Sequence, residues 1–536
     1  MTTIDSPRPP EIPTEVLTAL GDPASYGPGV LRVQVIHTHA SVVFLAGDRV
    51  YKLKRPVDFG FLDYSTLARR EAMCRAEVAL NRRLAPDVYR GVVPITEEDG
   101  HIAIDGNGTI VEWAVAMKRL PDAACWSTRL VAGEIDPDHA RAVGRRLAQF
   151  HRDARRGPAI AAWASFDRVA AACRDNITAL RSRSSTSPAL VERLHVATEA
   201  ALEAARPLIE ARAAAGIPCE FHGDLRVEHV YDLGGVGRVE DLRIVDCIEF
   251  SDALRHGDPA ADVAFLTMDL RMHGGWALAA ALEQAWLEES RDDGAAALLP
   301  LYASYRSAVR AKVRAMQADD PALSADERAH ALSLARGHLV LACGELAPPP
   351  SRPALVLVAG LPGTGKSRLA DDLERQAGLT WIRADAVRKE LAGIDPLASG
   401  HDAIEAGIYT AAWNDRTYGE CLARADRLLE AGGRAIVDAS FKEERRRREF
   451  IDHARRLGVR VRLLCCVAPP EAIRTRLAER TADPSDADWH IYEHAVRTWD
   501  PYGDDTAGVV TAIDTERPHA ETVAAALDQL RRDGLL

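Results

Sequence analysis

Eight consecutive residues, Gly360-Leu361-Pro362-Gly363-Thr364-Gly365-Lys366-Ser367, have the G-x-x-x-x-G-K-S spacing of a phosphate cradle. Glycines at these positions let backbone N–H groups converge on phosphate oxygens. The helix expected from Ser367 to Gln376 adds partial positive charge at the same point. Lys366 has the reach for β- and γ-phosphates, and the Ser367 hydroxyl suits Mg²⁺. Gly360, Gly363, Thr364, Gly365, Lys366 and Ser367 are therefore the expected nucleotide-binding residues of a site for ATP with Mg²⁺.

Several downstream residues fit the same chemistry. Thr380 to Asp385 has the pattern of a strand ending in a carboxylate. A carboxylate near the γ-phosphate suits a general base for an acceptor hydroxyl, which makes Asp385 the expected base. Arg388, one helical turn later, is placed to hold an anionic substrate or the transferring phosphoryl group. Arg434 to Asp438 resembles a Walker B strand, with Asp438 on Mg²⁺ or its water shell. In the run Arg445 to Arg448, Arg447 is the residue expected to face a substrate pocket. Pro469 to Arg480 has the pattern of a lid helix, with Arg476 expected on transition-state charge and Arg480 on the nucleotide.

A second constellation lies far upstream. His222-Gly223-Asp224-Leu225-Arg226-Val227-Glu228-His229 has the form of a catalytic loop. Asp224 would accept a hydroxyl proton, and His229, five residues on, stands where a metal ligand is expected. Leu242 to Phe250 has the pattern of a strand meeting an acid, which makes Asp246 a second Mg²⁺ ligand. Val50-Tyr51-Lys52-Leu53-Lys54 supplies a strand lysine, and Glu77 on the next helix is its expected ion-pair partner. Strand alternation puts Lys52 and Lys54 on one face, so spacing does not choose between them as the phosphate lysine.

These residues need two scaffolds. The chain has 536 residues, too many for one core. Pro348-Pro349-Pro350-Ser351-Arg352-Pro353 favours an extended linker, since stacked prolines continue neither helix nor central strand. Immediately after it, Ala354 to Ala359 is a buried-strand pattern. The expected organisation is a flexible segment over 1–30, a first domain over 31–346, a linker over 347–353 and a P-loop domain over 354–536. In the first domain, strands are expected at Ser41–Leu45, Val50–Leu53 and Ile110–Met117, with a helix at Ser65–Leu84. In the last, strands at 354–359, 380–385, 434–438, 459–467 and 509–513 build a five-stranded parallel sheet.

Composition narrows the function classes. A net charge of −12 is poor for gripping long nucleic acid, which favours a basic face. No apolar run approaches the roughly 20 residues that span a bilayer, so no membrane partner is expected. The nine cysteines show neither metal spacing nor a disulfide framework, which fits a reducing cytoplasm.

The stretch 354–536 resembles P-loop kinases of the gluconate kinase, zeta toxin, chloramphenicol phosphotransferase and polynucleotide kinase type. It has neither the long Walker B strand ending in Asp-Glu nor the arginine-finger sensors of ring-forming ATPases. The stretch from about Ser41 to Leu270, with Asp224, Asp246 and Asp258 to Ala264, resembles the aminoglycoside phosphotransferase family. That family has an α+β, bilobal, protein-kinase-like fold. Together with Tyr51-Lys52-Leu53-Lys54-Arg55-Pro56 and Phe61-Leu62-Asp63-Tyr64, nearly the whole chain resembles bacterial bifunctional aminoglycoside phosphotransferase/ATP-binding proteins. The resemblance implies an ATP-dependent kinase acting on a small-molecule hydroxyl. It also implies two departures: His229 stands where the family has Asn, and His37-Thr38-His39-Ala40-Ser41 lacks the glycines of a phosphate loop. Two other functions remain open on sequence grounds. One is an end-directed polynucleotide 5′-hydroxyl kinase, with Asp385 as base and Arg388 on a terminal phosphate. The other is a regulatory protein whose first half is a degenerate kinase.

Overall fold

The computed structural model describes residues 11–60, 62–395, 407–479 and 488–536. Phe61 and Arg480 lie outside the described residues. Contacts divide the chain into two compact units, one of residues 1–170, 205–270 and 277–302, the other of 171–204, 271–276 and 303–536.

The first unit is built on six antiparallel strands: β1 (Val33–His37), β2 (Ser41–Ala46), β3 (Arg49–Lys54), β4 (Tyr89–Glu98), β5 (His101–Ile104) and β6 (Thr109–Lys118). They lie in the order β1-β2-β3-β6-β4-β5. Alternation gives the sheet two distinct faces. Phe44, Tyr51, Leu53, Ala114 and Ala116 pack with Val16 and Leu20 of the helix Thr14–Gly21. Within the segment expected to be flexible, the helix Thr14–Gly21 therefore contributes to a core, because Val16 and Leu20, one helical turn apart, bury against the sheet. On the other face, Val115 packs with Cys74 and Val78 of the helix Leu67–Asn81. That helix starts two residues later than its apolar pattern suggests, since Thr66 accepts the Arg69 N–H as N-cap.

Short strands frame the loops below this sheet. β7 (Cys219–Glu220) precedes the pair β8 (Val230–Asp232) and β9 (Leu242–Ile244) and bonds to β10 (His256–Gly257). The loop 221–229 and the segment 245–250 are thereby held at defined ends.

The second unit is built on a parallel sheet: β11 (Ala354–Gly360), β12 (Thr380–Arg383), β13 (Arg434–Asp438), β14 (Arg460–Val467) and β15 (Val510–Asp514), in the order β12-β13-β11-β14-β15. This is the five-stranded sheet expected from sequence. All seven residues of central β11 are buried, as a strand covered on both faces requires. Each of Leu355, Val356, Leu357 and Val358 contributes about 1.5–3 kcal/mol by burial. Helices Lys366–Ala377 and His519–Arg532 cover one face through Leu369, Leu373, Val523 and Leu530. The other face packs against Tyr418, Leu429, Phe450 and Ile451, and also against Leu190, Leu194, Leu339 and Val340. The last four come from helices before the Pro-rich segment. Residues 347–353 thus lie inside the second unit, not between the units. No helix among the described residues is long and apolar enough to cross a membrane.

Candidate functional site

The phosphate cradle begins where β11 ends. At Gly360 a Cβ would lie 2.6 Å from the Cys466 carbonyl oxygen and 2.8 Å from Thr364 Oγ1, so no larger residue fits. Gly363 has φ of 80°, and a Cβ there would meet Ile473 at 2.9 Å. Ile473 belongs to the helix Pro470–Ala478, so this expected lid helix lies directly against the loop. Gly365 is left-handed and forms the N-cap of the Lys366–Ala377 helix. Within the loop, Thr364 Oγ1 and Lys366 Nζ both donate to the Leu361 carbonyl, at 2.7 and 3.0 Å.

Asp438 ends β13 and is 4% exposed. It hydrogen-bonds with Ser367. Its Oδ2 is buried with no hydrogen-bond partner. Burial pushes its carboxyl above the ordinary range, opposed by Lys366 and by the Ser367 bond. An orphaned buried oxygen beside a hydroxyl and an ammonium is an arrangement that a cation and a phosphate would complete.

Asp385 also contributes to the electrostatics at Asp438. The sequence pattern put it on a strand end. In the structure β12 stops at Arg383, and Asp385 sits half-buried in the first turn of the helix Ala384–Leu391. After Asp438 the chain turns sharply: Phe441 has φ of 47°, a left-handed conformation that costs about 1–3 kcal/mol. Tyr418 supports the turn, accepting the Phe441 N–H at 3.2 Å with its hydroxyl 3.2 Å from Ser440 Oγ.

Two of the expected arginines have other partners in the structure. Arg447 is fully buried and does not line a substrate pocket. It donates to the carbonyls of Phe441 at 2.9 Å, Asp500 at 2.7 Å and Pro501 at 2.8 Å, and to Glu444 at 2.7 Å. It is a clasp that satisfies backbone carbonyls. Arg388 is 7% exposed and donates to the Ile408 carbonyl at 3.0 Å and to Asn414 at 2.8 Å. Those two bonds, both from Nη1, tie the helix Ala384–Leu391 to Ile408 and to Asn414 on the helix Ala411–Glu430. Arg476 reaches toward the cradle indirectly. It donates to the Thr515 carbonyl at 2.6 Å, and Thr515 Oγ1 donates to the Thr364 carbonyl at 2.8 Å.

In the first unit a cleft of about 690 Å³ is lined by Lys52, Glu77, Asp224, Glu228, His229 and Asp246, among others. Lys52 Nζ lies 2.9 Å from Glu77 and 2.8 Å from Asp246. Lys54 is 1% exposed and pairs with Glu77 at 2.7 Å and with Glu249, which also accepts from the Tyr64 hydroxyl. Both lysines share a face, but Lys52 alone lines the cleft. Burial lowers the Lys52 pKa, yet Asp246 and Glu77 more than compensate and hold it well above its ordinary value. The Lys52 ammonium in turn holds the Asp246 carboxyl well below the carboxylate range. Asp246 has φ of 69°, a second strained residue at a site.

The catalytic-type loop is braced from behind. Asp262, fully buried, accepts the N–H groups of His222 at 2.9 Å and Gly223 at 3.0 Å. His151 completes it: its Nδ1 accepts from Trp286 Nε1 at 3.1 Å, so Nε2–H donates to Asp262 at 3.2 Å. His222 Nε2 donates to the Val245 carbonyl at 2.8 Å, tying the loop to the segment after β9, and burial lowers its pKa. Asp224 is met by Arg226 at 3.1 Å. Burial raises its pKa, but Arg226 and His229 outweigh this and the net shift is downward. In the turn His37 to Ser41, Thr38 N–H goes to the Ser41 carbonyl and Ser41 N–H to Thr38 Oγ1, both at 2.9 Å.

Sequence reasoning singled out neither Asp262 nor Arg226 as a site residue. Arg226, two residues from Asp224, was visible as a neighbouring charge. Asp262 lies in the family-like stretch Asp258 to Ala264, but its partners His222, Gly223 and His151 are 40, 39 and 111 residues away, so its bracing role has no local signal.

Among known proteins, an AAA domain family model matches residues 355–501. Uncharacterized protein Rv2004c of Mycobacterium tuberculosis and Uncharacterized protein Mb2027c of Mycobacterium bovis are each 30% identical over 463 residues, covering 85% of this chain and 88% of theirs. A choline/ethanolamine kinase family protein from Mesorhizobium loti is similar over 62% of this chain and 99% of its own, with 13% identity and TM-score 0.38. A sugar kinase from Janibacter is similar over 33% and 95%, with 22% identity and TM-score 0.25.

Proposed function

The chain belongs to the family of the mycobacterial proteins Rv2004c and Mb2027c, and on that premise we propose that it is an ATP-dependent phosphotransferase acting on a small-molecule hydroxyl. The observation that carries this reading is Asp438, buried with an unpartnered oxygen beside Ser367 and within electrostatic reach of Lys366 and Asp385. That set contains a phosphate cradle, a cation site and a candidate base. Ser367 and Asp438 would hold Mg²⁺, which when bound supplies positive charge to the nucleotide phosphates. The glycine N–H groups and Lys366 orient the phosphates; Asp385 orients the acceptor hydroxyl and takes its proton. Arg476, hydrogen-bonded to Thr515, sits on the helix packed at Gly363. A shift of that helix would carry the guanidinium over the transferring group.

The first unit supplies a second nucleotide site, with Lys52 on phosphate, Glu77 holding Lys52, Asp246 and His229 on the metal, and Asp224 as base. Its likeness to aminoglycoside phosphotransferases belongs to this proposal. Polynucleotide kinase activity is the less favoured reading, because the net charge is −12 and one nitrogen of Arg388, the expected phosphate contact, is engaged by Ile408 and Asn414.

The test is nucleotide binding and ATP consumption by wild type, Lys366→Ala and Asp224→Asn with a panel of sugars, aminoglycosides, nucleosides and 5′-hydroxyl oligonucleotides. The proposal expects acceptor-stimulated ATP consumption that falls roughly a hundredfold or more in Lys366→Ala. Consumption indifferent to every acceptor and to Lys366 overturns it.

A further inference from the structure

His229 is fixed in one tautomer. Its Nδ1 lies 2.6 Å from the Asp224 carbonyl oxygen, which only accepts, so Nδ1 carries the proton. The ring stacks on His222, with centroids 5.8 Å apart and planes 19° from parallel. Its backbone N–H is also bonded, to the Arg226 carbonyl at 3.0 Å. The imidazole therefore has little freedom to turn. In the neutral ring Nε2 keeps its lone pair, and this atom is 3.9 Å from Asp246 Oδ2. The other Asp246 oxygen is engaged by Lys52 at 2.8 Å. The nearest donor to Nε2, Arg226 Nη2, is 3.5 Å away, at the outer limit of hydrogen bonding. Glu228 Oε1 is also near, 3.7 Å from Nε2, but it is held by Arg226 at 2.5 Å. His229 Nε2 and Asp246 Oδ2 thus face the same cleft, each with a lone pair to give. Among the described residues no three His, Cys, Asp or Glu side chains form a preformed metal cage. The remaining ligands at such a pair would come from phosphate and water oxygens, with the Glu228 carboxylate as a neighbour.

We propose that His229 Nε2 and Asp246 make the first-unit cleft select a first-row divalent cation of the Mn²⁺ type over Mg²⁺. Mg²⁺ favours oxygen ligands in near-ideal octahedral geometry. Imidazole nitrogen favours the first-row transition ions, and Mn²⁺ is the member that also suits carboxylate, phosphate and water. The departure that looks like damage to a magnesium site is then a change of metal. The second unit keeps an oxygen-only pair, Ser367 and Asp438, so the two sites differ in metal preference within one chain. This inference rests on the reading of the first-unit cleft as a metal–nucleotide site.

The test uses the full chain carrying Lys366→Ala and Ser367→Ala, which silences the second-unit site. Binding of a non-hydrolysable ATP analogue with Mn²⁺ is measured first. Electron spin-echo modulation then detects any imidazole nitrogen bonded to Mn²⁺, with ¹⁵N-histidine labelling to identify the source without a further mutation. The expected result is histidine nitrogen modulation that changes frequency on ¹⁵N labelling and is lost in His229→Asn. The preference for Mn²⁺ over Mg²⁺ in competition should fall about tenfold in that variant. Bound nucleotide and Mn²⁺ without nitrogen modulation overturns the metal inference alone. Failure of the silenced chain to bind the analogue overturns both the inference and the reading beneath it.

Discussion

Asp262→Asn is expected to loosen the loop that carries Asp224. The native carboxylate is fully buried and accepts two backbone N–H groups, at 2.9 and 3.0 Å, and one imidazole N–H. Burial raises its pKa, but the His151 bond and the His222 contacts outweigh this, so it is charged in the native fold. An Asn of the same shape keeps one accepting oxygen and turns an NH₂ toward a donor. A hydrogen bond to a charged group contributes about 1.5–3 kcal/mol, and a stranded buried donor costs about 1–3 kcal/mol. Together these give a local loss on the order of 3–5 kcal/mol. The consequence is local opening, measured by amide hydrogen exchange of the 222–229 loop. At about 1.4 kcal/mol per tenfold, exchange at His222 and Gly223 should accelerate by roughly 100-fold or more. Unchanged protection there would show that β7, β8 and the His222–Val245 bond hold the loop without Asp262.

The paired lysines should separate by assay. Lys54→Met removes the ion-pair partner of buried Glu249, while Glu77 keeps Lys52, and should destabilise the first unit by about 3–5 kcal/mol in denaturant unfolding. Lys52→Met should chiefly weaken nucleotide binding, since Glu77 keeps Lys54. Gly363→Ala places a Cβ 2.9 Å from Ile473 in a left-handed backbone, which costs about 1–2 kcal/mol before any clash. Nucleotide affinity in the second unit should fall about tenfold or more by titration. Asp426 supplies a pH prediction. Burial raises its pKa, but bonds from His453 and Arg336 bring it down to about 2. A depressed folded pKa contributes stability above the unfolded value of about 3.9, and that stability disappears as pH falls toward about 2. Acid unfolding of Asp426→Asn should have a shallower slope across that window than wild type.

The second unit was the more legible half. Its strands are continuous apolar runs, and its cradle is a contiguous motif in which each glycine has a local reason. Asp438 followed from the same logic, being the polar end of a buried strand. The arginines were less legible because a helical pattern gives a face and not a partner. Arg447 and Arg388 lie on helices beside the site, yet their guanidinium groups are taken by carbonyls of Asp500, Pro501 and Ile408, distant in sequence. The choice between Lys52 and Lys54 was equally closed to alternation. It depends on Glu249, which lies near 250, and on which lysine the cleft reaches. Helices before the Pro-rich segment join the second unit because their apolar faces match the exposed side of the parallel sheet. Proline punctuation carries no information about that.

The central claim is transfer of phosphate to a hydroxyl, and the most direct measurement follows γ-labelled phosphate from ATP into acceptor. Wild type, Lys366→Ala and Asp385→Asn are compared with the same acceptor panel. The account predicts label on an acceptor oxygen, lost in Lys366→Ala and strongly reduced in Asp385→Asn while nucleotide binding persists. Label found only in free phosphate, at rates unaffected by acceptor or by Asp385, would contradict it.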